Sequence, residues 1–291
     1  FTGNNKTRDK VIRREILLDE GNLFSTGLWD VSIVRINQLG YFDVIKNTPE
    51  EKDYEITQNN QKKTVDILVK VKEKGKNSIG FSGGVSGIAG SFVGINYATN
   101  NLFGLGETFS IQATTGTYQK LYSLGFTKPY VWDRPITAGF TIFLSDYHFD
   151  QLRQLAALQG YKPNAIAQNP FTTALYQNFQ QNSKGFTVFA TAPFHKTFAR
   201  IGINYSYSDS SIQTFSAASQ QFYSALAFGQ FNGPNQLTGI KSSTIAPSYT
   251  YSNLNGNPLD PVSGRFISAS LQFSGGPLGG NVNTIRPVFE A

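Results

Sequence analysis

The 291-residue chain has no cysteine and no methionine. Without thiols there is neither a disulfide framework nor a thiolate metal site, although many exported proteins also lack cysteine, so the compartment is left open. The missing methionine has no physical explanation in the residues themselves. No run of 18 apolar residues occurs, which excludes a membrane-spanning helix. Histidine is limited to two residues, and no nucleophile–base pairing, P-loop or metal motif is present. An enzyme is therefore not expected, and neither is a cofactor. Gly275–Gly280 ("GGPLGG") lacks the strand-then-helix setting that phosphate binding needs. The chain opens at Phe1 with no signal peptide and no initiating Met, which reads as a processed or excised piece.

Charge is scarce in one part of the chain only. Residues 1–77 hold 26 charged side chains, 14 basic and 12 acidic, whereas the following 214 residues hold 18. The second stretch is about threefold poorer in charge than an ordinary soluble domain. The net charge of +6 is not gathered on one face or tract as in nucleic-acid binders, so no nucleic-acid partner is expected. Two regions in two different solvents are implied, with a division at 1–76 and 77–291.

In the first region Thr7 is a candidate N-cap for a helix of about three turns carrying Val11, Ile12 and Ile16. A second helix is expected from Ser25 through Leu28, Val31, Val34 and Leu39, ending at Gly40 in the left-handed position that closes helices. "YFDVI" (Tyr41–Ile45) starts a strand, Lys46–Lys63 is a charged connection, and "TVDILVKVKEK" alternates Val65, Ile67, Val69 and Val71 against Asp66, Lys70 and Lys72, a half-buried strand. With Phe1–Gly3 as the end of a first strand, the order is β-α-α-β-β. Such an α+β domain serves either as a docking module that accepts a strand on a sheet edge or as a spacer.

In the second region the recurring pattern is period-two alternation. In "PITAGFTIFLSDYHF" (Pro135–Phe149), Ile136, Ala138, Phe140, Ile142 and Leu144 fall on one side and Thr137, Gly139, Thr141 and Ser145 on the other, with Phe143 an apolar intruder on the polar side. Some ten segments fit, those at Phe92–Asn100, Ser242–Leu254 and Val282–Glu290 less clearly. The polar faces are Ser, Thr, Gly, Asn and Gln rather than Lys and Glu, and the apolar faces are aromatic-rich. This is the pattern of an antiparallel transmembrane β-barrel, dry side toward lipid and wet side toward the interior. Turns near Asn101–Gly106, Tyr130–Arg134, Pro193–Lys196 and Asn255–Gly264 share one end, and the longer connections Gln151–Lys184 and Asp209–Lys241 the other. Short periplasmic turns and long outer loops place the charged domain in the periplasm and Tyr130 and Trp132 in the inner aromatic girdle at the membrane interface.

Asp146, His148 and Asp150 share a face at two-residue spacing, an arrangement with metal-ligand chemistry. They also continue the lipid-facing row of Ile142 and Leu144, which makes them a solvated strand end above the membrane, since charge in the hydrocarbon zone is costly. The other histidine, His195, falls in a periplasmic turn.

Several local segments carry a resemblance. "FTGNNKT" with "RREI", and "QLGYFDVI" (Gln38–Ile45), resemble the start and the helix-to-strand junction of a POTRA domain. "NLFGLGE" (Asn101–Glu107), "FTKPY" (Phe126–Tyr130) and "NPLDPVSGR" (Asn257–Arg265) are similar to the periplasmic barrel turns of BamA-type outer-membrane assembly factors. The resemblance covers nearly the whole chain and implies a POTRA domain followed by roughly ten strands of a larger, sixteen-stranded barrel. The family's Arg-Gly-Phe/Tyr motif of the sixth outer loop is absent, and "SGRF" (Ser263–Phe266) has another order and sits in a periplasmic turn. Both departures fit a chain cut before the barrel closes, which would leave strand edges unpaired in lipid.

The resemblance implies a bacterial outer-membrane protein that inserts and folds other outer-membrane β-proteins, with outer-membrane lipids, unfolded clients and periplasmic or lipoprotein accessory subunits as partners. Its lateral gate would be the first barrel strand, Ser78, Ile79, Gly80, Phe81, Ser82, Gly83, Gly84, Val85 and Ser86. Asn77–Gly87 holds four glycines, which weaken a strand by removing packing and adding unfolded-state entropy, or else relieve crowding in a curved wall. Two alternatives stand beside it. One is a two-partner-type secretion pore passing an unfolded protein through the lumen, and the other a surface adhesin using the long loops.

Overall fold

A computed structural model describes residues 1–46, 53–75, 77–86, 90–158, 174–194, 197–225, 230–231, 236–257 and 260–290. The chain forms two compact units. The first comprises Phe1–Ser78, Ala98–Phe109 and Asn253–Gly264, and the second Ile79–Tyr97, Ser110–Ser252 and Arg265–Ala291. Two ends of the long hairpins therefore belong to the first unit.

The first unit contains α1 (Asp9–Arg13), α2 (Thr26–Gln38), β1 (Tyr54–Asn59) and β2 (Thr64–Val69). Strands β1 and β2 pair antiparallel from Tyr54↔Val69 to Asn59↔Thr64. Thr2 lies parallel to Lys70, with its N–H donating to the Val69 carbonyl at 3.0 Å and its own carbonyl accepting from Val71 at 2.8 Å. Phe42 bridges Glu73 antiparallel. The strand expected at Phe1–Gly3 and the one at Tyr41–Ile45 are thus single bridges.

Four sequence expectations change here. Thr7 does not cap a helix: it is buried, its N–H donates to Glu73 at 2.6 Å, and α1 begins after Arg8 with no side-chain cap. The helix spans five residues rather than three turns, because the chain beyond it is extended, with Leu17 N–H donating to Ser32 Oγ at 2.9 Å and Ile16 and Leu18 packing on the core. On α2 the buried face is Trp29, Ser32, Ile33 and Ile36, and Leu28, Val31 and Val34 are exposed. Both sets have helical spacing, and the set containing tryptophan buries the larger apolar area. The fourth change is β1, which occupies what reads as polar connection: Tyr54 is buried against Trp29, ring centroids 5.3 Å apart and edge-on. Ser25 and Gly40 close α2 as expected, Ser25 Oγ accepting from Leu28 N–H at 3.5 Å and Gly40 at φ +68°.

The second unit is a meander. It contains β3 (Asn77–Ser86), β4 (Gly90–Leu102), β5 (Glu107–Gly116), β6 (Gln119–Lys128), β7 (Thr137–Asp150), β8 (Asn178–Pro193), β9 (Ala199–Thr214), β10 (Gln230–Phe231), β11 (Gln236–Ser252), β14 (Phe266–Ser274) and β15 (Thr284–Glu290), and the short β12 (Asn255–Asn257) and β13 (Asp260–Ser263) form a hairpin of their own in the β11–β14 connection. Helices α3 (Gln151–Leu158) and α4 (Ala217–Ser224) lie in the two long connections. The sheet path is β15-β14-β11-β9-β8-β7-β6-β5-β4-β3, ten strands, with β10 paired to β11 off the path. This is the ten-strand antiparallel wall expected from the alternation, and the three less clear segments fall in β4, β11 and β15.

Strands β8, β9 and β11 run for 16, 16 and 17 residues, longer than the roughly 9–11 that cross a bilayer. They extend into what reads as loop at Asp209–Lys241 and before Lys184, where they have polar sequence. At their far end Ile212 and Tyr223 are buried, with Phe179 and Ile240 against them, so α4 seals the strand tips. The register between β11 and β14 lapses between Ile245↔Phe273 and Ser248↔Ser270, while that to β9 continues through Pro247↔Ile203. Pro247 has no N–H to give, and the lost bond is on the β14 side.

Candidate functional site

The expected gate residues Ser78–Ser86 all lie in β3, which ends the sheet path and has β4 as its one strand neighbour among the described residues. Alternation places Ile79, Phe81, Gly83 and Val85 on one face. Phe81 is 80% exposed and Val85 86%, consistent with a face made for lipid. An edge strand presents a row of backbone donors and acceptors outward, the template on which another strand can add. Ser78 donates to the Ala98 carbonyl at 3.4 Å, anchoring the start of the strand.

The glycines are not equivalent. A Cβ on Gly80 would collide with the Asn96 side chain, whose Cγ would stand 2.9 Å away, whereas on Gly83 the nearest atoms are the Phe92 carbonyl oxygen at 3.4 Å and Val93 Cγ1 at 3.8 Å. A side chain at Gly80 would have to displace the Asn96 amide, whereas a Cβ at Gly83 would meet its neighbours in ordinary contact. Gly87 lies outside the described residues.

Tyr130 and Trp132 are brought together in the β6–β7 turn, at φ +54° and +52°. Left-handed backbone is a genuine outlier for bulky residues. Trp132 is 86% exposed there. Asp146, His148 and Asp150 do share a face, but each has a partner with no metal chemistry in common: Gln180 Nε2 donates to Asp146 at 2.8 Å, His148 Nε2 and Asn178 Oδ1 are 3.0 Å apart, and Asp150 pairs with Arg153 at 3.0 Å. Among the described residues no group of three or more acidic or histidine side chains is placed to hold a metal; His195 lies outside them.

What sequence reading missed is a polar relay inside the first unit. The Asn101 Nδ2 donates to Thr7 Oγ1 at 2.8 Å, and Asn101 Oδ1 accepts from Gly106 N–H at 2.8 Å. Glu73 accepts from the N–H groups of Lys6, at 3.0 Å, and of Thr7. Burial pushes the Glu73 carboxyl upward, but the Thr7 hydroxyl, these N–H groups and the Lys6 charge outweigh it and hold the group below its ordinary range. Tyr41 Oη donates to the Gly106 carbonyl at 3.0 Å, and burial pushes this phenol above its usual value. The only signal was the turn "NLFGLGE" itself, whose Phe103, Gly104 and Gly106 all take positive φ.

Residues 101–291 match the model of the Omp85 superfamily domain, and residues 1–74 match that of the POTRA family, described as a surface antigen variable number repeat. The chain belongs to the Omp85 superfamily. It is an outer-membrane chain with its POTRA domain on the periplasmic side. Among similar curated proteins is the outer membrane protein assembly factor BamA of Neorickettsia risticii, 32% identical over 143 residues, covering 49% of this chain and 18% of the relative. The BamA of Nitratidesulfovibrio vulgaris is 24% identical over 295 positions, covering 99% of this chain and 31% of that one. A crystal structure of Haemophilus ducreyi BamA lacking POTRA domains 1–3 superposes over 94% of this chain and 47% of its own with a TM-score of 0.58 at 19% identity, which establishes the shared fold. This Omp85 chain spans less than a third of the length of these two curated relatives.

Proposed function

We propose that this chain, with a periplasmic domain over 1–76 and a barrel portion over 77–291, is the part of an outer-membrane protein assembly factor at which client strands pair. The observation supporting this reading is that the glycine-rich β3 stands at one end of the sheet path and, among the described residues, has β4 as its one strand neighbour. Its outward backbone groups cannot be left bare in hydrocarbon, where each costs several kcal/mol. A strand at this position is satisfied either by closure of the ring or by an incoming client strand, and a glycine-weakened seam lowers the cost of exchanging one for the other. Unfolded outer-membrane clients and accessory lipoproteins are the implied partners.

Disulfide crosslinking tests this in the complete protein. The chain has no native cysteine, so single cysteines at 78–86 can be paired with cysteines along the last strand of a stalled client. Crosslinks that follow a fixed strand register are expected. Their absence, with crosslinks appearing instead at interior positions Thr141 or Asn204, would transfer the assignment to a secretion pore. In a second test, Gly83→Val, whose Cβ meets its neighbours in ordinary contact, should slow client assembly by stiffening the seam, whereas Gly80→Val acts on Asn96 as well.

A further inference from the structure

The outward face of β6, β7, β8, β9 and β11 changes character over two rows of residues. Cross-strand partners share a face, and the row Leu124↔Ile142↔Phe186↔Tyr207 is apolar and aromatic on β6 to β9, ending on β11 in the buried Ser243. Two residues farther from the periplasmic turns the row is Tyr122↔Leu144↔Lys184↔Asp209↔Lys241. The next is Lys120↔Asp146↔Asn182↔Ser211. Rows on one face of a strand are about 6.5–7 Å apart, so three lysines stand immediately above the hydrocarbon band on the lipid side of the wall, at the depth of outer-leaflet headgroups.

These lysines are concentrated beyond what composition gives. Residues 78–291 hold 11 Lys and Arg in all, and Lys120, Lys184 and Lys241 line one surface depression of about 480 Å³. Asp146 and Asp209 line it too. The pairs are loose: Lys120 Nζ is 4.0 Å from Asp146 and Lys184 Nζ 4.0 Å from Asp209, with the Lys184 side chain 70% exposed. Asp146 already accepts from Gln180. Three ammonium groups against two carboxylates leave an excess positive charge and free N–H donors turned to the depression. Below it the apolar row offers a bed for acyl chains.

We propose that Lys120, Lys184 and Lys241 form a binding site for the phosphate of an anionic glycolipid headgroup in the outer leaflet. The ammonium groups donate charge-assisted hydrogen bonds to phosphate oxygens, while the nearby carboxylates stand beside Lys120 and Lys184 without occupying their donors. The site is independent of client pairing at β3, which lies at the end of the sheet.

The test uses the complete protein in detergent and measures retention of diphosphorylated lipid A by native mass spectrometry. The wild type is expected to hold the lipid, and the triple variant K120Q/K184Q/K241Q to lose at least about tenfold in affinity, on the scale of a few charge-assisted hydrogen bonds. K184R should retain binding, as should K128Q at the periplasmic end of β6. Heat-modifiable migration on a gel reports that each barrel is folded; were the triple variant unfolded, the single variants K184Q and K241Q carry the comparison. Equal retention by wild type and folded lysine variants would overturn the proposal, as would equal binding of dephosphorylated lipid A. Displacement of the lipid by millimolar inorganic phosphate would reassign the depression to a free-anion site.

Discussion

The ring of Phe143 on β7 lies over Gly185 on β8, its directly opposite partner across the ladder: a Cβ on Gly185 would stand 2.9 Å from Phe143 Cζ. This explains an aromatic on a face otherwise made of Thr, Gly and Ser. The pair Gly139↔Phe189 repeats it on the same two strands with the roles exchanged, the glycine now on β7, its Cβ position 2.7 Å from Phe189 Cζ. An aromatic ring folded over a cross-strand glycine covers exposed backbone and pins the register.

Gly185→Val is accordingly expected to be among the most damaging single changes in the wall. The new side chain would meet both the Tyr207 carbonyl and the Phe143 ring, and overpacking costs typically about 1–3 kcal/mol. Phe143→Ala combined with Gly185→Val should recover part of the loss, since one of the two obstacles is gone. Heat-modifiable migration as a function of temperature measures both. A double variant no better than the single one would show that the carbonyl alone decides.

Asn101 and Thr7 provide the next expectation. Asn101 is buried and uses its amide in two directions, to the Thr7 hydroxyl and from Gly106 N–H. Asn101→Ala leaves both partners without it in a site closed to water, at about 1–3 kcal/mol for the buried unsatisfied group. Urea unfolding of the whole chain followed by Trp29 fluorescence should move to lower midpoint, while Asn100→Ala, one position away and exposed, should leave it unchanged.

Glu73 gives this unit a pH dependence of known sign. Its carboxyl is held below the ordinary range in the fold, so its contribution is fully present above the unfolded carboxylate value, about 4.3, and is lost as pH falls through the folded value. The group is largely solvent-screened, so the effect is small. Glu73→Gln should flatten the decline of the urea midpoint that sets in as pH falls below the unfolded carboxylate value. An unaltered slope would assign the decline to other carboxylates.

The wall was legible because its solvent is unusual. Strands with one face for lipid and one for water show alternation without charge, and that pattern marks β5 to β9 and β14 residue by residue. The ends were less legible: polar residues in Asp209–Thr214 and Gln236–Lys241 read equally as loop, and only pairing with neighbours makes them strand. In the POTRA domain two faces of α2 have helical spacing, so local pattern could not choose between Trp29 with Ile33 and Leu28 with Val31. Tertiary burial chose. The relay from Asn101 through Thr7 to Glu73 joins residues up to 94 positions apart, which no local pattern encodes; the glycine-rich turn signalled only that a backbone had to approach closely there. The glycines of β3 read equally as a weak seam or as relief of crowding, and which of them stands against a neighbouring side chain was not legible.

Trp132 offers a direct reading of membrane depth. The chain has two tryptophans, and Trp29 is buried in the POTRA core, so Trp29→Phe leaves one fluorophore. Trp132 sits exposed on left-handed backbone, a conformation that costs a bulky residue about 1–3 kcal/mol, and an indole at the headgroup level repays such a cost by placing its apolar body in the interface and its N–H in water. In vesicles of brominated phospholipid, the emission of the Trp29→Phe protein should be quenched most by bromines near the glycerol end of the acyl chains and least by those at the bilayer centre. Emission that no brominated lipid quenches would remove Trp132 from the girdle and leave the strained turn of Tyr130–Arg134 to be explained by a protein contact in the complete barrel.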